Sequence, residues 1–202
     1  MTSSKEYVNS FIQESKQILD GLDLESIDQM ARILATVKQA GGRLFFAGSG
    51  GGAGHSSHAV CDFRKLAGIE SYSVTDNVSE LTARINDESW EDSYANWLGV
   101  SKIGPRDGLF VFSVGGGDAD KHISENLVRA MDLAKNVGAS IVGIAGRDGG
   151  HLAKVANACI VIPPIIASNI TTQTEGFQAL LWHMIVCHPY LESNTPMWES
   201  VS

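Results

Sequence analysis

The chain has 202 residues, 44% of them hydrophobic and 19% charged, a balance typical of a globular domain that builds its core without disulfides or metal staples. Its formal net charge of −8 argues against nucleic acid and anionic membranes as partners, because neither attracts an acidic protein. Three widely spaced cysteines without a CxxC pair, no apolar signal core in the first six residues and no apolar run of membrane-spanning length together predict a cytoplasmic protein.

Two segments of helical periodicity come first. Residues 4–22 and 23–39 each place apolar side chains on one face, and Gly41-Gly42 is a common stop signal after the second. Such faces either pack on the domain's own sheet or join subunits, and the sequence leaves both possibilities open.

From residue 43 onward, short apolar runs alternate with Gly-rich turns and helical stretches. The runs cover residues 43–47, 71–75, 109–114, 140–145 and 159–162. They are continuous rather than alternating, as expected of strands buried on both faces. Helical segments between them predict crossover connections, and therefore an α/β domain with a parallel sheet. The last long segment, 171–191, reads as a helix whose end Pro189 disturbs.

Two Gly-rich loops follow predicted strands, and each is predicted to open a helix. They are Gly48-Ser49-Gly50-Gly51-Gly52 and Gly115-Gly116-Gly117-Asp118. At the carboxyl ends of parallel strands, the backbone N–H groups of such loops can bind an anion. Glycine also serves simply for tight turns, but two loops at equivalent places make the two interpretations about equal. Neither loop is a Walker A motif, and the first fits the dinucleotide-binding fingerprint only in a relaxed form.

Two pairs of metal-ligating side chains occur at helical spacing. His58 and Asp62 are four residues apart after the first loop, and Glu175 and His183 are eight apart on the last helix. Each pair therefore shares a helix face. One pair alone is typical of a surface contact, whereas two together offer the ligand chemistry of Zn²⁺. We interpret the other histidines as ordinary surface or loop residues: His55, His122, His151 and His188.

These features together resemble the SIS (sugar isomerase) family over nearly the whole chain, and within it the phosphoheptose isomerases. That subfamily shows Gly-Asn-Gly-Gly-Ser at the first loop, a His and a Glu four apart where this chain has His58 and Asp62, and Asn-Asp at Asn86-Asp87. It shows Gly-Lys-Asp-Gly-Gly at residues 146–150, and a Gln and a His eight apart at Glu175 and His183. The resemblance implies one SIS domain over 1–202, with a five-stranded parallel sheet of flavodoxin-like order. Helices for oligomerisation would occupy 1–40, the α/β core 41–192 and a tail 193–202.

The resemblance also implies an activity, the isomerisation of sedoheptulose 7-phosphate to a heptose 7-phosphate through an enediol. A divalent metal, zinc in the family, would be held by His58, Asp62, Glu175 and His183. Asp62 or Glu175 would be the catalytic base, with His183 as the acid. Substrate-binding positions would be Ser49, Gly50, Gly51, Asn86, Asp87, Ser113, Val114, Gly115, Asp118 and Glu175. The expected assembly is a homotetramer with its sites near subunit interfaces.

The phosphate loop departs from the family pattern. The family shows Ser-Thr-Ser-Gly-Asn-Ser, whereas residues 113–118 here keep only the hydroxyl of Ser113 and add the negative charge of Asp118. Each lost neutral hydrogen bond costs roughly 1 kcal/mol. The altered loop leaves other substrates open beside sedoheptulose 7-phosphate: a sugar with a differently placed phosphate, a nucleotide-linked sugar or an unphosphorylated sugar. Two other classes stay open: a lyase or epimerase on a related sugar, and a noncatalytic SIS module that binds a sugar phosphate or another protein.

Overall fold

The computed structural model describes residues 3–191. The predicted tail, 193–202, lies outside the described residues. The elements in chain order are α1 (Ser4–Asp20), α2 (Leu24–Gln39), β1 (Leu44–Gly48), α3 (Gly51–Lys65), β2 (Ser71–Ser73), α4 (Val78–Asp87), α5 (Ser93–Val100), β3 (Gly108–Ser113), α6 (Glu125–Asn136), β4 (Ser140–Ala145), α7 (Gly150–Val155), β5 (Ala158–Val161), a 3-10 turn (Ala167–Asn169) and α8 (Ile170–Val186). No helix within 3–191 has both the length and the apolar character needed to cross a membrane.

The five strands form one parallel sheet in the order β2-β1-β3-β4-β5. This confirms the predicted parallel sheet and its flavodoxin-like order. Gly48, the last residue of β1, lies opposite Phe112 of β3. The strand order reverses at β1 and β3, and parallel sheets bind ligands at such a switch point. Both predicted Gly-rich loops leave the sheet there.

The sheet is covered on both faces, which explains its continuous apolar runs. Phe46, Phe110 and Phe112 pack on one face with residues of α2, α3 and α8. On the other face, Phe45 and Leu109 pack with residues of α5 and α6. Neighbouring strand positions thus enter separate buried layers, as expected when helices cover both sides.

The two N-terminal helices differ in how much of their apolar surface is covered. Helix α2 buries Met30 and Leu34 completely in the core. Helix α1 is fixed at Glu14, whose carboxylate accepts hydrogen bonds from the backbone N–H of Ile166 and from the Asn169 and Gln173 side chains. Several large apolar side chains of α1 remain exposed in the single chain: Tyr7, Val8, Ile12 and Leu19.

The predicted extent of the last helix, 171–191, was wrong. Helix α8 ends at Val186, and Cys187 caps it. Pro189 has no N–H to continue the ladder and disfavours helical geometry in the residue before it, so the chain turns away. The predicted first helix is likewise two residues too long, since α1 ends at Asp20.

The prediction that the second Gly-rich loop opens a helix directly was also wrong. Helix α6 begins only at Glu125, and residues 118–123 form a loop closed by an antiparallel bridge between Asp118 and Ile123. Gly116 and Gly117 adopt positive φ angles of 74° and 80°, which turn the chain away from a helical path.

The Asp118 carboxylate then stabilises the turn. It accepts hydrogen bonds from the backbone N–H groups of Asp120 and Lys121. An aspartate that bonds to nearby backbone N–H groups favours a turn over a helix interior. The start of α6 is thereby shifted to a later residue than the sequence pattern indicates.

Candidate active site

Helices α3 and α8 bring three of the four predicted metal ligands together. One ligand atom from each of His58, Asp62 and His183 lies within 4.8 Å of the others. The Asp62 Oδ2 atom is 3.7 Å from His183 Nε2 and 4.0 Å from His58 Nε2. The two imidazole rings stand nearly perpendicular, with centroids 5.3 Å apart. Packing of α3 on α8 thus joins residues that are remote in sequence.

This cluster fits a divalent ion by donor type and by spacing. Two nitrogen or oxygen ligands, each about 2.1 Å from one tetrahedral ion, lie about 3.4 Å from each other, close to the separations found here. His183 Nδ1 lies 2.7 Å from the Ala179 carbonyl oxygen. With Nδ1 as the donor in that hydrogen bond, Nε2 presents its lone pair toward Asp62, which is the arrangement found in metal-binding histidines.

Trp182 fixes both imidazoles. It is fully buried, stacks on His183 with centroids 3.5 Å apart, and meets the His58 ring edge-on at 4.8 Å. Asp62 is also buried, at 7% exposure, while the two histidines are open to solvent. The cluster therefore has a rigid inner wall and an accessible outer side.

Glu175, the fourth predicted ligand, lies outside this three-residue set. Its carboxyl group contacts the first turn of α3, where a Cβ atom on Gly51 would lie only 2.5 Å from Glu175 Cδ. Glycine at position 51 therefore makes room for the carboxylate. The four-residue metal set remains a prediction, and the structure places the Glu175 carboxylate against Gly51 and near His55.

His55 is a site residue that the sequence interpretation missed. It is half-buried on α3, its ring centroid is 5.8 Å from that of Phe112, and Glu175 lies near it. Burial lowers the pKa of His55, although the backbone and the charge of Glu175 oppose that shift. The spacing of residues 55, 58 and 62 carries a usable signal, since i, i+3 and i+7 share one helix face.

A cleft of about 290 Å³ lies at the carboxyl ends of β1 and β3. It brings together four predicted substrate-binding residues: Ser49, Ser113, Val114 and Gly115. The Asn126 amide donates a hydrogen bond to Ser49 Oγ at 3.1 Å, and Ser113 Oγ accepts one from the Gly116 backbone at 3.0 Å. Two further predicted positions, Gly50 and Gly51, form the turn into α3 beside Ser49.

Ser124 also lines this cleft, and the sequence interpretation missed it. It precedes α6 in a left-handed conformation with φ of 54°, and its side chain makes no capping hydrogen bond. The serine of the Ser-Glu-Asn stretch, ahead of the periodic apolar residues of α6, is the sequence signal that indicates this helix start.

Three predicted substrate-binding residues have other surroundings. Asp118 bonds within its own loop, where Lys121 Nζ lies 2.9 Å from its carboxylate. It lines a separate, larger cavity of about 580 Å³. Asn86 and Asp87 are exposed at the end of α4, where the Asn86 amide donates to the Asp87 carboxylate at 2.6 Å. A substrate role for these three residues stays a prediction.

Comparison with known proteins gives close relatives, although no family model matches the chain. The phosphoheptose isomerase of Akkermansia muciniphila is 35% identical over 150 residues, which cover 71% of this chain and 75% of that protein. The phosphoheptose isomerase of Rhodospirillum rubrum is 30% identical over 169 residues, or 81% of each chain. The solved phosphoheptose isomerase of Neisseria gonorrhoeae has a TM-score of 0.79 at 21% identity, with coverage of 91% of this chain and 97% of that chain. The last likeness shows a shared fold.

Proposed function

This chain belongs to the phosphoheptose isomerase family of SIS-domain sugar-phosphate isomerases, and from this we propose that it interconverts the ketose and aldose forms of a sugar phosphate such as sedoheptulose 7-phosphate. The observation that carries the proposal is the approach of His58, Asp62 and His183 at the surface of α3 and α8. A noncatalytic sugar-binding module has no evident need for two histidines and a buried carboxylate at these separations.

The proposed site holds a divalent metal, and the ligand chemistry favours zinc. His58, Asp62 and His183 are the residues that would hold it. When bound, the ion polarises the carbonyl and hydroxyl oxygens of the substrate. The Ala179 carbonyl keeps His183 in the tautomer that this role needs, and the buried Trp182 keeps both rings in place.

We assign the role of the catalytic base, which transfers the proton, to Glu175. Asp62 and His183 lie in the ligand set, whereas the Glu175 carboxylate lies outside it, against the first turn of α3. In aldose–ketose isomerisation through an enediol, a base removes a proton from the carbon next to the carbonyl and delivers it to the neighbouring carbon. A carboxylate outside the ligand set keeps its lone pairs for this step. The prediction of His183 as the acid competes with its ligand role, because only one of its ring nitrogens is free.

The substrate extends from this cluster into the cleft at the ends of β1 and β3. The hydroxyl groups of Ser49, Ser113 and Ser124 line that cleft and offer hydrogen bonds to a sugar or its phosphate. The exposed apolar side chains of α1, Tyr7, Val8 and Ile12, support a homotetramer built through the N-terminal helices. The cytoplasmic location stays a prediction.

The test is an isomerase assay with sedoheptulose 7-phosphate, on protein stripped of metal by a chelator and then given zinc. We expect activity to disappear on stripping and to return with the ion. Sedoheptulose without its phosphate is the matched control for phosphate recognition. Turnover that is unchanged by stripping would contradict the metal site, and no turnover of any sugar phosphate after zinc is restored would contradict the proposed reaction.

A further inference from the structure

The cleft at the carboxyl ends of β1 and β3 contains one charged side chain among the described residues, that of Arg147. The polar groups around it are neutral hydroxyls: Ser49, Ser113, Ser124 and Thr171. Arg147 belongs to the turn after β4, and its Cδ atom lies 3.8 Å from the point where a Cβ on Gly115 would be. Its side chain therefore extends along the very loop that lacks the family's hydroxyl groups.

The Arg147 guanidinium has no ion-pair partner within residues 3–191, since no carboxylate there lies within 4.0 Å of it. Four of the six other arginines are ion-paired: Arg32 with Asp28, Arg43 with Asp107, Arg84 with Glu80 and Arg129 with Asp92. Arg147 thus keeps its positive charge available at the cleft.

The backbone of Arg147 is strained. Its φ angle of 54° lies in the left-handed region, which disfavours side chains other than those of glycine, asparagine and aspartate. Strain of this kind persists where the surrounding structure imposes it, and it is concentrated at ligand sites. The two residues after Asp148 are glycines, whereas the left-handed position 147 carries an arginine.

Arg147 also lines a second cavity, of about 580 Å³, whose carboxylates disfavour an anion. Three carboxylates line it, those of Asp118, Asp120 and Asp148, and they offset the charges of Lys121 and Lys154. Asp118 is already paired with Lys121. An anion is therefore favoured on the cleft side of Arg147, where no carboxylate lines the wall.

We propose that Arg147 binds the phosphate group of the substrate, at the end of the cleft formed by Ser113 and Ser124. A guanidinium donates two parallel hydrogen bonds to phosphate oxygens and supplies a full positive charge, which replaces the neutral donors missing from residues 114–118. This inference rests on the proposed function, because the phosphate is that of the isomerised sugar. It makes Arg147 a determinant of phosphorylated over unphosphorylated substrates.

The experiment compares wild type with Arg147→Gln and Arg147→Lys. Both replacements keep an unbranched side chain at the strained position, and Lys154→Gln, in the larger cavity, is the matched control. For Arg147→Gln we expect the KM for sedoheptulose 7-phosphate to rise about 30-fold, with a smaller change in kcat and no change in turnover of sedoheptulose. Arg147→Lys should show an intermediate effect, because lysine keeps the positive charge but lacks the planar guanidinium that donates two parallel hydrogen bonds. Lys154→Gln should behave as wild type.

Titration of inorganic phosphate by calorimetry separates this inference from the proposed reaction. Weaker phosphate binding in Arg147→Gln, with thermal stability unchanged, supports the Arg147 site even if no isomerase activity is found. A KM and a phosphate affinity both within twofold of wild type in a folded Arg147→Gln protein would overturn it. An equal loss of phosphate affinity in Lys154→Gln would also overturn the proposal, since phosphate would then bind in the larger cavity that Lys154 lines.

Discussion

Two polar clusters, one at the amino end of the parallel sheet and one between α3 and α8, differ in how their polar groups are satisfied. At the amino end, Asp107 accepts hydrogen bonds from the backbone and guanidinium of Arg43 and from the backbone of Gly104. Arg43 donates its remaining N–H groups to the carbonyls of Ser101 and Lys102. Between α3 and α8, the Asp62 carboxylate faces two imidazole nitrogens at 3.7 and 4.0 Å, beyond hydrogen-bond distance.

This difference separates structural groups from functional ones. Buried polar groups are normally satisfied within the protein, as Arg43 and Asp107 are. The buried Asp62 carboxylate makes no side-chain hydrogen bond within the described residues, and it forms a candidate metal-binding group with two imidazoles. We therefore expect changes at the amino end of the sheet to affect stability, and changes at the α3–α8 cluster to affect metal binding and catalysis.

The largest expected effect follows from Asp62→Asn. The amide lacks the anionic oxygen that a divalent ion needs, so we expect kcat/KM to fall by about 10³-fold or more, with loss of bound metal. Stability should hold, because the Asp62 side chain makes no hydrogen bond within the described chain. Steady-state kinetics and thermal unfolding are the measurements, with the exposed Asp120→Asn as control. Full activity in Asp62→Asn would remove Asp62 from the site.

Glu175→Gln tests the assignment of roles around the α3–α8 cluster. The replacement keeps the shape of the side chain against Gly51 but removes the base, so kcat should fall by about 10²- to 10⁴-fold. Metal content should be unchanged, because Glu175 lies outside the ligand set. Elemental analysis beside the kinetic assay distinguishes the two roles. Loss of metal in this variant would make Glu175 the fourth ligand instead.

At the amino end, Asp107→Asn should destabilise the fold without altering the chemistry. Removal of one partner from a largely buried ion pair leaves Arg43 without its counter-ion, and we expect a loss of about 3 kcal/mol in the free energy of unfolding. Urea denaturation measures it. The KM and kcat of the remaining folded protein should match wild type. A comparable loss of kcat would contradict the distinction between the Arg43–Asp107 pair and the α3–α8 cluster.

The smallest effect is a dependence of stability on pH. Burial would raise the pKa of Asp107, but the hydrogen bonds from Arg43 and Gly104 outweigh it and hold that pKa below its usual value. A carboxyl group with a lowered pKa in the folded state stabilises the protein above its unfolded pKa, and this contribution is lost as pH falls. Unfolding free energies measured below about pH 4 should decrease in wild type more steeply than in Asp107→Asn. Equal decreases of the unfolding free energy with falling pH in the two proteins would show that Asp107 does not contribute to the pH dependence of stability.

The sequence predicted the sheet because each strand is a continuous apolar run buried on both faces. It predicted His58, Asp62 and His183 because helical spacing reports which residues share a face. It could not show the loop of residues 118–123, since Asp118 closes a turn through backbone hydrogen bonds where the pattern indicated a helix start. It also missed His55 and Ser124: their local spacing signals were present, but only the packing of α3 on α8 and of the turn before α6 on β3 shows that they face the site.

The most direct test of the account is the metal content of protein purified without chelator, determined by elemental mass spectrometry for wild type, His183→Ala and the exposed control His122→Ala. We expect roughly stoichiometric zinc or another divalent metal in wild type and in His122→Ala, and its loss in His183→Ala. Absence of metal from wild type even after zinc is added back, or its retention in His183→Ala, would contradict the metal site on which the proposed mechanism depends.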